Sequence, residues 1–333
     1  MRILILGGTE FLSHTIARRA LERGHDVSCL ARGTQREPPP GTTFVRSDRT
    51  AGAAACAQLE GEWDEVVDVS WEPAQVREAL SALADRAKHW TYVSSLSVYA
   101  DNTTFGADES SPLLEPLGED QAADRDHYGE AKVACEQAVL AAVGDRALLV
   151  RAGLIAGADD PSDRFGYWPA RFARDHDPVI VPDGPGAAVQ VIGVTDLADW
   201  ILTAAESGVT GTYNATGETV PLADVVELAR TVADGTAELV EIAPDWLAEM
   251  NVSYWAGPDS LPLWLPDEYA GFATRSIAAA QAQGLRLGPL PDLMREVLDF
   301  EREAGLKRDR KAGLSPQREI ALVQLWQTRD RAN

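Results

Sequence analysis

The chain has 333 residues, 45% of them hydrophobic, which is enough for a large core in two closely joined lobes. Its formal charge of −22 argues against a general nucleic-acid or membrane-surface partner, because phosphate binding needs a basic footprint. No apolar run approaches the roughly 18 residues that cross a bilayer, and the first one, Ile3–Leu6, is far too short for a signal peptide. The chain therefore reads as cytoplasmic. Cys29, Cys56 and Cys135 are too widely spaced for a disulfide framework or a metal site, and the histidines are scattered. Cys135, in an alanine-rich helical stretch, reads as a small core residue.

Arg2–Leu6 is a short apolar run ending in Gly7-Gly8. Glu10–Arg23 has helical spacing (Phe11, Leu12, Ile16, Ala20, Leu21), and Gly24 is placed to end it. Val27–Ala31 predicts a strand, followed by a Pro-rich loop at 38–40 and a short strand at Thr43–Val45. Further predictions are a strand at Glu65–Val69, a helix at Val76–Ala87, a strand at Thr91–Ser95, a helix at Tyr128–Val143 and a strand at Ala147–Arg151. Short strands alternating with such helices predict βαβ units, and right-handed crossovers then give a Rossmann-type doubly wound parallel sheet.

Past residue 152 the rhythm breaks, and loops grow longer and richer in Pro, Gly and Trp. Strands are expected at Val189–Val194 and Thr212–Asn214, with a helix at Asp196–Glu206 between them. Residues 240–272 carry Trp246, Tyr254, Trp255, Trp264, Tyr269 and Phe272, which either line a substrate-facing lobe or fill a core. Ser315 and Pro316 are a helix cap and first position for a terminal helix at Ser315–Arg331. The expected division is a cofactor-binding domain of residues 1–152, completed by about 187–215. Residues 153–186 and 216–333 would then form a smaller C-terminal substrate-binding lobe with terminal helices.

A strand, Gly7-Gly8-Thr9 and a helix make the geometry of a dinucleotide-binding turn. The helix start offers free N–H groups and a positive dipole end to a pyrophosphate. Glu10 and Ser13 stand where the next two glycines are expected. A carboxylate pointing at a pyrophosphate would repel it, so Glu10 is expected to face outward or towards the adenosine ribose. After the second strand, Leu30-Ala31-Arg32-Gly33 holds no acid to bind a ribose 2′-hydroxyl, while Arg32 suits a 2′-phosphate, which favours NADP over NAD. Tyr128 and Lys132 are spaced i, i+4 on one helix face. A phenol is a poor base at neutral pH, but a cation about 4 Å away stabilises the phenolate by on the order of 4 kcal/mol. A serine from the strand end Val93-Ser94-Ser95-Leu96-Ser97-Val98-Tyr99 would then hydrogen-bond the substrate oxygen where charge develops.

In that order, the glycine turn, the serine strand and the Tyr/Lys helix resemble the extended short-chain dehydrogenase/reductases. More closely, the chain is similar to the NAD-dependent epimerase/dehydratase group. The likeness runs through Arg151-Ala152-Gly153-Leu154-Ile155-Ala156-Gly157, Val194-Thr195-Asp196-Leu197-Ala198 and Gly211-Thr212-Tyr213-Asn214-Ala215-Thr216-Gly217. The resemblance implies Ser95, Tyr128 and Lys132 as catalytic residues. It implies cofactor contacts from Gly7, Thr9, Glu10, Phe11, Leu12, Arg32, Asp48, Val69, Ser70, Tyr128, Lys132, Ala152, Leu154 and Ile155. It also implies a last sheet strand from about 211–214 and a homodimer packed through helices that include 128–143. Ser97, Arg164 and Trp168 are candidate substrate contacts, Arg164 being equally readable as a surface salt-bridge residue.

Two departures bear on function. Leu96-Ser97 follows Ser95 where sugar dehydratases of the group have an Asp-Glu pair, so that elimination chemistry lacks its acid and base. Val189-Gln190-Val191 precedes Ile192 where sugar-nucleotide enzymes often carry a diphosphate-binding arginine. The leading reading is a reductase or dehydrogenase using NADP or NAD on a carbonyl or alcohol of a small metabolite, with no nucleic-acid, membrane or metal partner. The alternative is a sugar or nucleotide-sugar epimerase with bound NAD. A third reading is a non-catalytic, cofactor-sensing or RNA-associated protein.

Overall fold

The computed structural model describes residues 1–34, 36–184 and 187–329. The chain opens with β1 (Arg2–Leu6), α1 (Phe11–Glu22), β2 (Asp26–Ala31), β3 (Thr43–Arg46), β4 (Trp63–Asp68), α2 (Pro73–Leu83), β5 (Ala87–Ser95), α3 (Tyr128–Val143) and β6 (Ala147–Ala152). With an edge strand at Gly211–Ala215 these form a seven-stranded sheet, ordered edge strand, β6, β5, β4, β1, β2, β3. Every pairing is parallel. The order reverses between β1 and β4, and that crevice at the carboxyl ends of the strands is where such sheets bind ligands.

Ile3, Leu4 and Ile5 are fully buried, because helices cover both faces of the sheet. On one face α1 packs with α5 (Val194–Glu206) through Ile16, Ala17, Leu197 and Ile201. On the other, α2 and α3 close over Trp63, Trp90 and Tyr92. Cys135 lies in this second layer as a core residue, and burial pushes its thiol up to about 11. A separate large cluster joins α4 (Arg164–Arg174) and α6 (Leu222–Val232) to residues from 239–264 and the helices Leu290–Ala304 and Pro316–Arg329.

Several elements differ from expectation. The helix after β4 runs Pro73–Leu83 and β5 begins at Ala87, because a 3-10 turn at Ala84–Arg86 ends the helix early. The strand expected at Val189–Val194 is split. Ala188–Val189 pairs with Val220–Pro221, and Val191–Gly193 pairs with Leu154–Ala156. The break is at Gln190, whose buried side chain bonds Gly217 O, Arg275 O and Arg275 N instead of following a ladder. Ser315 caps the last helix through Arg318 N, 3.2 Å from its Oγ, and Pro316 opens that helix. The helix is described to Arg329, and Arg331 lies outside the described residues.

Beneath the sheet, His89 on β5 pairs through Nδ1 with the fully buried Glu65 on β4, and its Nε2 lies 2.9 Å from Val209 O. Burial lowers the His89 pKa, but Glu65 and the Val209 carbonyl outweigh it and the net direction is upward. A histidine raised on folding stabilises fully below its unfolded value of about 6.5, and that contribution is lost as pH rises through the folded value. His89→Gln should therefore cost more stability at pH 6 than at pH 9 in denaturant titrations. An equal cost at both would remove the charged pair from the account.

Candidate active site

All the candidate cofactor residues before position 100 lie at or just past the carboxyl end of a strand, so the parallel sheet brings them to one edge. In the glycine turn, Gly8 has φ +97°, and a Cβ there would stand 2.4 Å from Cys29 Sγ. Only glycine fits, and the backbone is thereby left bare where a pyrophosphate would approach. Ser13, at the third glycine position, is small enough. Its Oγ bonds Glu10 O at 2.8 Å and it packs against Gly7. Glu10 is exposed and its carboxylate caps nothing. The first described bond of α1 runs from His14 N to Glu10 O, so the Phe11 and Leu12 N–H groups point out of the helix start. The side chains of Thr9 and Leu12 are buried, and any contact they make is through backbone. The Phe11 ring lies against Gly157. The turn thus fits a dinucleotide in its bare glycine, its free donors and its position at the crossover.

Around the turn, Val69 packs against Gly7, and Arg32 and Asp48 are exposed neighbours at the ends of β2 and β3. Asp48 accepts from Thr50 N at 2.9 Å and Thr50 Oγ at 2.8 Å, bonds that hold its carboxyl below the usual range, with Arg32 adding to the effect. Arg36 was not foreseen. From the loop after β2 it donates to Thr9 O at 2.9 Å and pairs with Asp159 at 2.8 Å. It has no periodic signature in the sequence, because an irregular loop carries it.

Ser95 ends β5 and caps the short 3-10 turn Leu96–Val98. Its Oγ accepts from Ser97 N at 3.1 Å and donates to Ser97 Oγ at 3.2 Å. Ser94 points inward, 3% exposed, while Ser95 and Ser97 are half-buried and reachable. The helix α3 starts at Tyr128 and crosses this turn so closely that a Cβ on Gly129 would stand 2.3 Å from Ser97 O. Glycine at 129 is what lets Tyr128 and Lys132 approach the serine strand. Lys132 is 3% exposed. Its ammonium donates to Val93 O at 2.6 Å and Ser70 O at 3.1 Å, and lies 6.0 Å from the Tyr128 ring centroid. Ser70 O also accepts from Tyr92 Oη, so the end of β4 and the Tyr/Lys helix are tied together. The half-buried Tyr128 ring rests on Trp71, centroids 5.7 Å apart. Ala152, the last residue of β6, and Leu154 are buried, and Ile155 is half-buried.

Of the three candidate substrate contacts, Ser97 sits beside Ser95. Arg164 lies at the start of α4 with its guanidinium over the Trp255 ring. Trp168 is a correction: it is fully buried in the second cluster and its indole N–H donates to Pro262 O at 2.9 Å, so it is a packing residue. Trp264 is likewise core, and Trp246 meets Trp326 edge-on.

Residues 3–216 match the family described as the NAD dependent epimerase/dehydratase family. The chain is 31% identical over 176 residues to a dTDP-6-deoxy-L-talose 4-dehydrogenase (NAD(P)(+)) from Kitasatospora kifunensis, an overlap of 48% of this chain and 54% of that protein. The chain thus spans about half the length of the curated relative it matches. A candidate epimerase from Burkholderia cenocepacia J2315 has the same fold, with a TM-score of 0.70 at 21% identity over 91% of this chain and 98% of that one. A UDP-glucuronic acid 4-epimerase from Bacillus cereus, solved with NAD, superposes with a TM-score of 0.65 at 14% identity over 92% of this chain and 100% of that one.

Proposed function

We propose, since the chain belongs to the NAD dependent epimerase/dehydratase family, that it is an NAD(P)-dependent enzyme of the extended short-chain dehydrogenase/reductase type. It acts in this reading as a reductase or dehydrogenase on a carbonyl or alcohol of a small metabolite through Ser95, Tyr128 and Lys132. The observation that carries this reading is the close crossing at Gly129, which brings the start of α3, with Tyr128 and Lys132, against the turn that Ser95 caps. Bound nicotinamide would supply or accept hydride. Tyr128 Oη gives a proton to the substrate oxygen in reduction and takes it back in oxidation. The Ser95 hydroxyl turns its one proton from Ser97 Oγ to the same oxygen, while Ser97 N keeps its Oγ in place. Two carbonyls fix two of the three Lys132 donors, and the third N–H is left for a ribose hydroxyl or the phenol. The glycine turn and the α1 start would hold the pyrophosphate. Asp48, Val69 and Ser70 would flank the adenine and ribose, and Ala152–Ile155 the nicotinamide. Residues 1–152 with 187–215 would form the cofactor half. A homodimer through the outer face of α3, where Leu140 is exposed, fits the same reading.

An epimerase with tightly held NAD uses the same three side chains and remains the second reading, favoured by the epimerases that share the fold. The two separate by assaying the cofactor released on denaturing the purified protein, then following NAD(P)H consumption against a panel of carbonyl compounds. Net consumption supports the reductase. Retained cofactor with no net redox overturns it in favour of the epimerase. For cofactor choice we propose NADP, held by the exposed Arg32. Arg32→Ala should weaken NADPH binding about tenfold while leaving NADH unchanged. Equal effects on both cofactors would remove Arg32 from the 2′-phosphate.

A further inference from the structure

Arg164 is a cation in an unusual position. Its guanidinium lies over the indole of Trp255, 4.9 Å from the ring centroid. Trp255 meets Phe272 edge-on with centroids 5.8 Å apart. Phe272 in turn packs against the cluster of Leu96, Val98, Tyr99 and Val133, in which Leu96 adjoins Ser95 and Val133 adjoins Lys132. The stack therefore reaches from the second lobe to the flank of the Ser95 turn. Among the described residues no carboxylate bonds or ion-pairs the Arg164 guanidinium. The adjacent acid, Asp163, is taken by Arg308 and by Lys311 N, which donates to it at 2.8 Å, and Asp160 is turned to Ser162, accepting from its N at 2.8 Å and its Oγ at 2.8 Å. Burial lowers the Arg164 pKa, and Asp160 and Tyr128 are the groups close enough to act the other way.

A half-buried cation with no carboxylate bonded to it is costly, and a bound anion would supply the missing partner. Its platform is held against local preference. Trp255 has φ +66°, a conformation bulky residues rarely adopt, and its N–H is fixed on Trp264 O at 2.9 Å. The segment before Ile192 gives no second cation, since Val189 and Val191 are apolar and Gln190 is buried and spent on backbone groups. Arginine on an aromatic face presents its planar fork to a carboxylate or phosphate while the ring covers its other side.

We infer that the substrate carries one anionic group, a carboxylate or a phosphate, and that Arg164 on the Trp255 ring holds it in the cleft Tyr128 faces; this rests on the oxidoreductase reading above. The anchor would set the carbonyl against Tyr128 and Ser95 from the far side of the cleft, and would select against neutral analogues.

The test uses the protein saturated with NADPH or NADH and titrated with inorganic phosphate, succinate and dTDP, followed by tryptophan fluorescence and calorimetry. Wild type should bind phosphate or succinate saturably. Arg164→Gln should weaken that binding at least tenfold, Arg164→Lys should restore part of it, and cofactor affinity should be the same in all three. Phosphate binding alone assigns a phosphate ester, and succinate binding alone assigns a carboxylate. Binding that Arg164→Gln leaves unchanged, or no binding of any probe to the cofactor-loaded protein, overturns the inference and leaves the oxidoreductase reading standing. Arg164-dependent dTDP binding far tighter than phosphate overturns the single-anion claim in favour of a nucleotide. Failure of the cofactor itself to bind overturns both.

Discussion

Tyr128→Phe should lower turnover by about 10²–10⁴-fold while leaving cofactor affinity and thermal stability close to wild type. The change removes one oxygen and keeps the ring that packs on Trp71. Neither described neighbour is suited to replace that proton donor. The Ser95 hydroxyl is a far weaker acid than a phenol, and the Lys132 ammonium is held by two carbonyls. The comparison that matters is between kcat, measured with any carbonyl compound the protein reduces, and the NADPH dissociation constant measured by calorimetry. A collapse of kcat at constant affinity places the phenol at the reacting oxygen. Full turnover in the variant would require another acid and would dismantle the proposed mechanism.

The second large effect concerns stability. Arg151, at the end of β6, makes a bidentate pair with Glu136 on α3, at 3.0 Å and 2.8 Å, with both side chains almost fully buried. Its Nη1 also donates to Tyr99 Oη at 3.0 Å, and that hydroxyl donates to Asn214 Oδ1 on the edge strand at 2.6 Å. The network locks α3 to β6 and to the edge strand. Arg151→Met leaves the Glu136 carboxylate buried without a partner and should cost about 3–5 kcal/mol in denaturant unfolding. The double variant Arg151→Met/Glu136→Leu should recover much of this, because an apolar pair of similar volume has no stranded charge. A loss under 1 kcal/mol in the single variant would show that Glu136 finds water or a proton, and that the pair does not hold the helix.

The sheet was legible because its strands are buried on both faces, which writes each as a short continuous apolar run, as in Ile3-Leu4-Ile5-Leu6. The helix Tyr128–Val143 was legible at both ends, with Gly144 at φ +57° stopping it. The second lobe was not. Arg164–Arg174 is a helix with Pro169 inside it, and that proline reads locally as loop. Arg164 and Trp168 stand one turn apart in the same short segment, yet one lies over the Trp255 ring and the other fills the core. Their partners decide this, and Trp255 and Pro262 lie about ninety residues downstream, beyond any local pattern. Gly129 was visible only as a spacer between Tyr128 and Lys132. Its role depends on how near the Ser97 carbonyl comes. Arg36 escaped notice for the same reason, since its bond to Thr9 O joins a loop to a turn.

Everything proposed here depends on a dinucleotide seated on a glycine turn that keeps Glu10 and Ser13 in place of two glycines. The most direct measurement is a calorimetric titration of the purified protein, first freed of any retained cofactor, with NADPH and with NADH. The account predicts saturable binding of one cofactor per chain, tighter for NADPH, and lost in Gly8→Val, where the new side chain would collide with Cys29. Binding of neither cofactor to a folded wild-type protein would contradict it, and the chain would then be a binding protein built on an enzyme's fold.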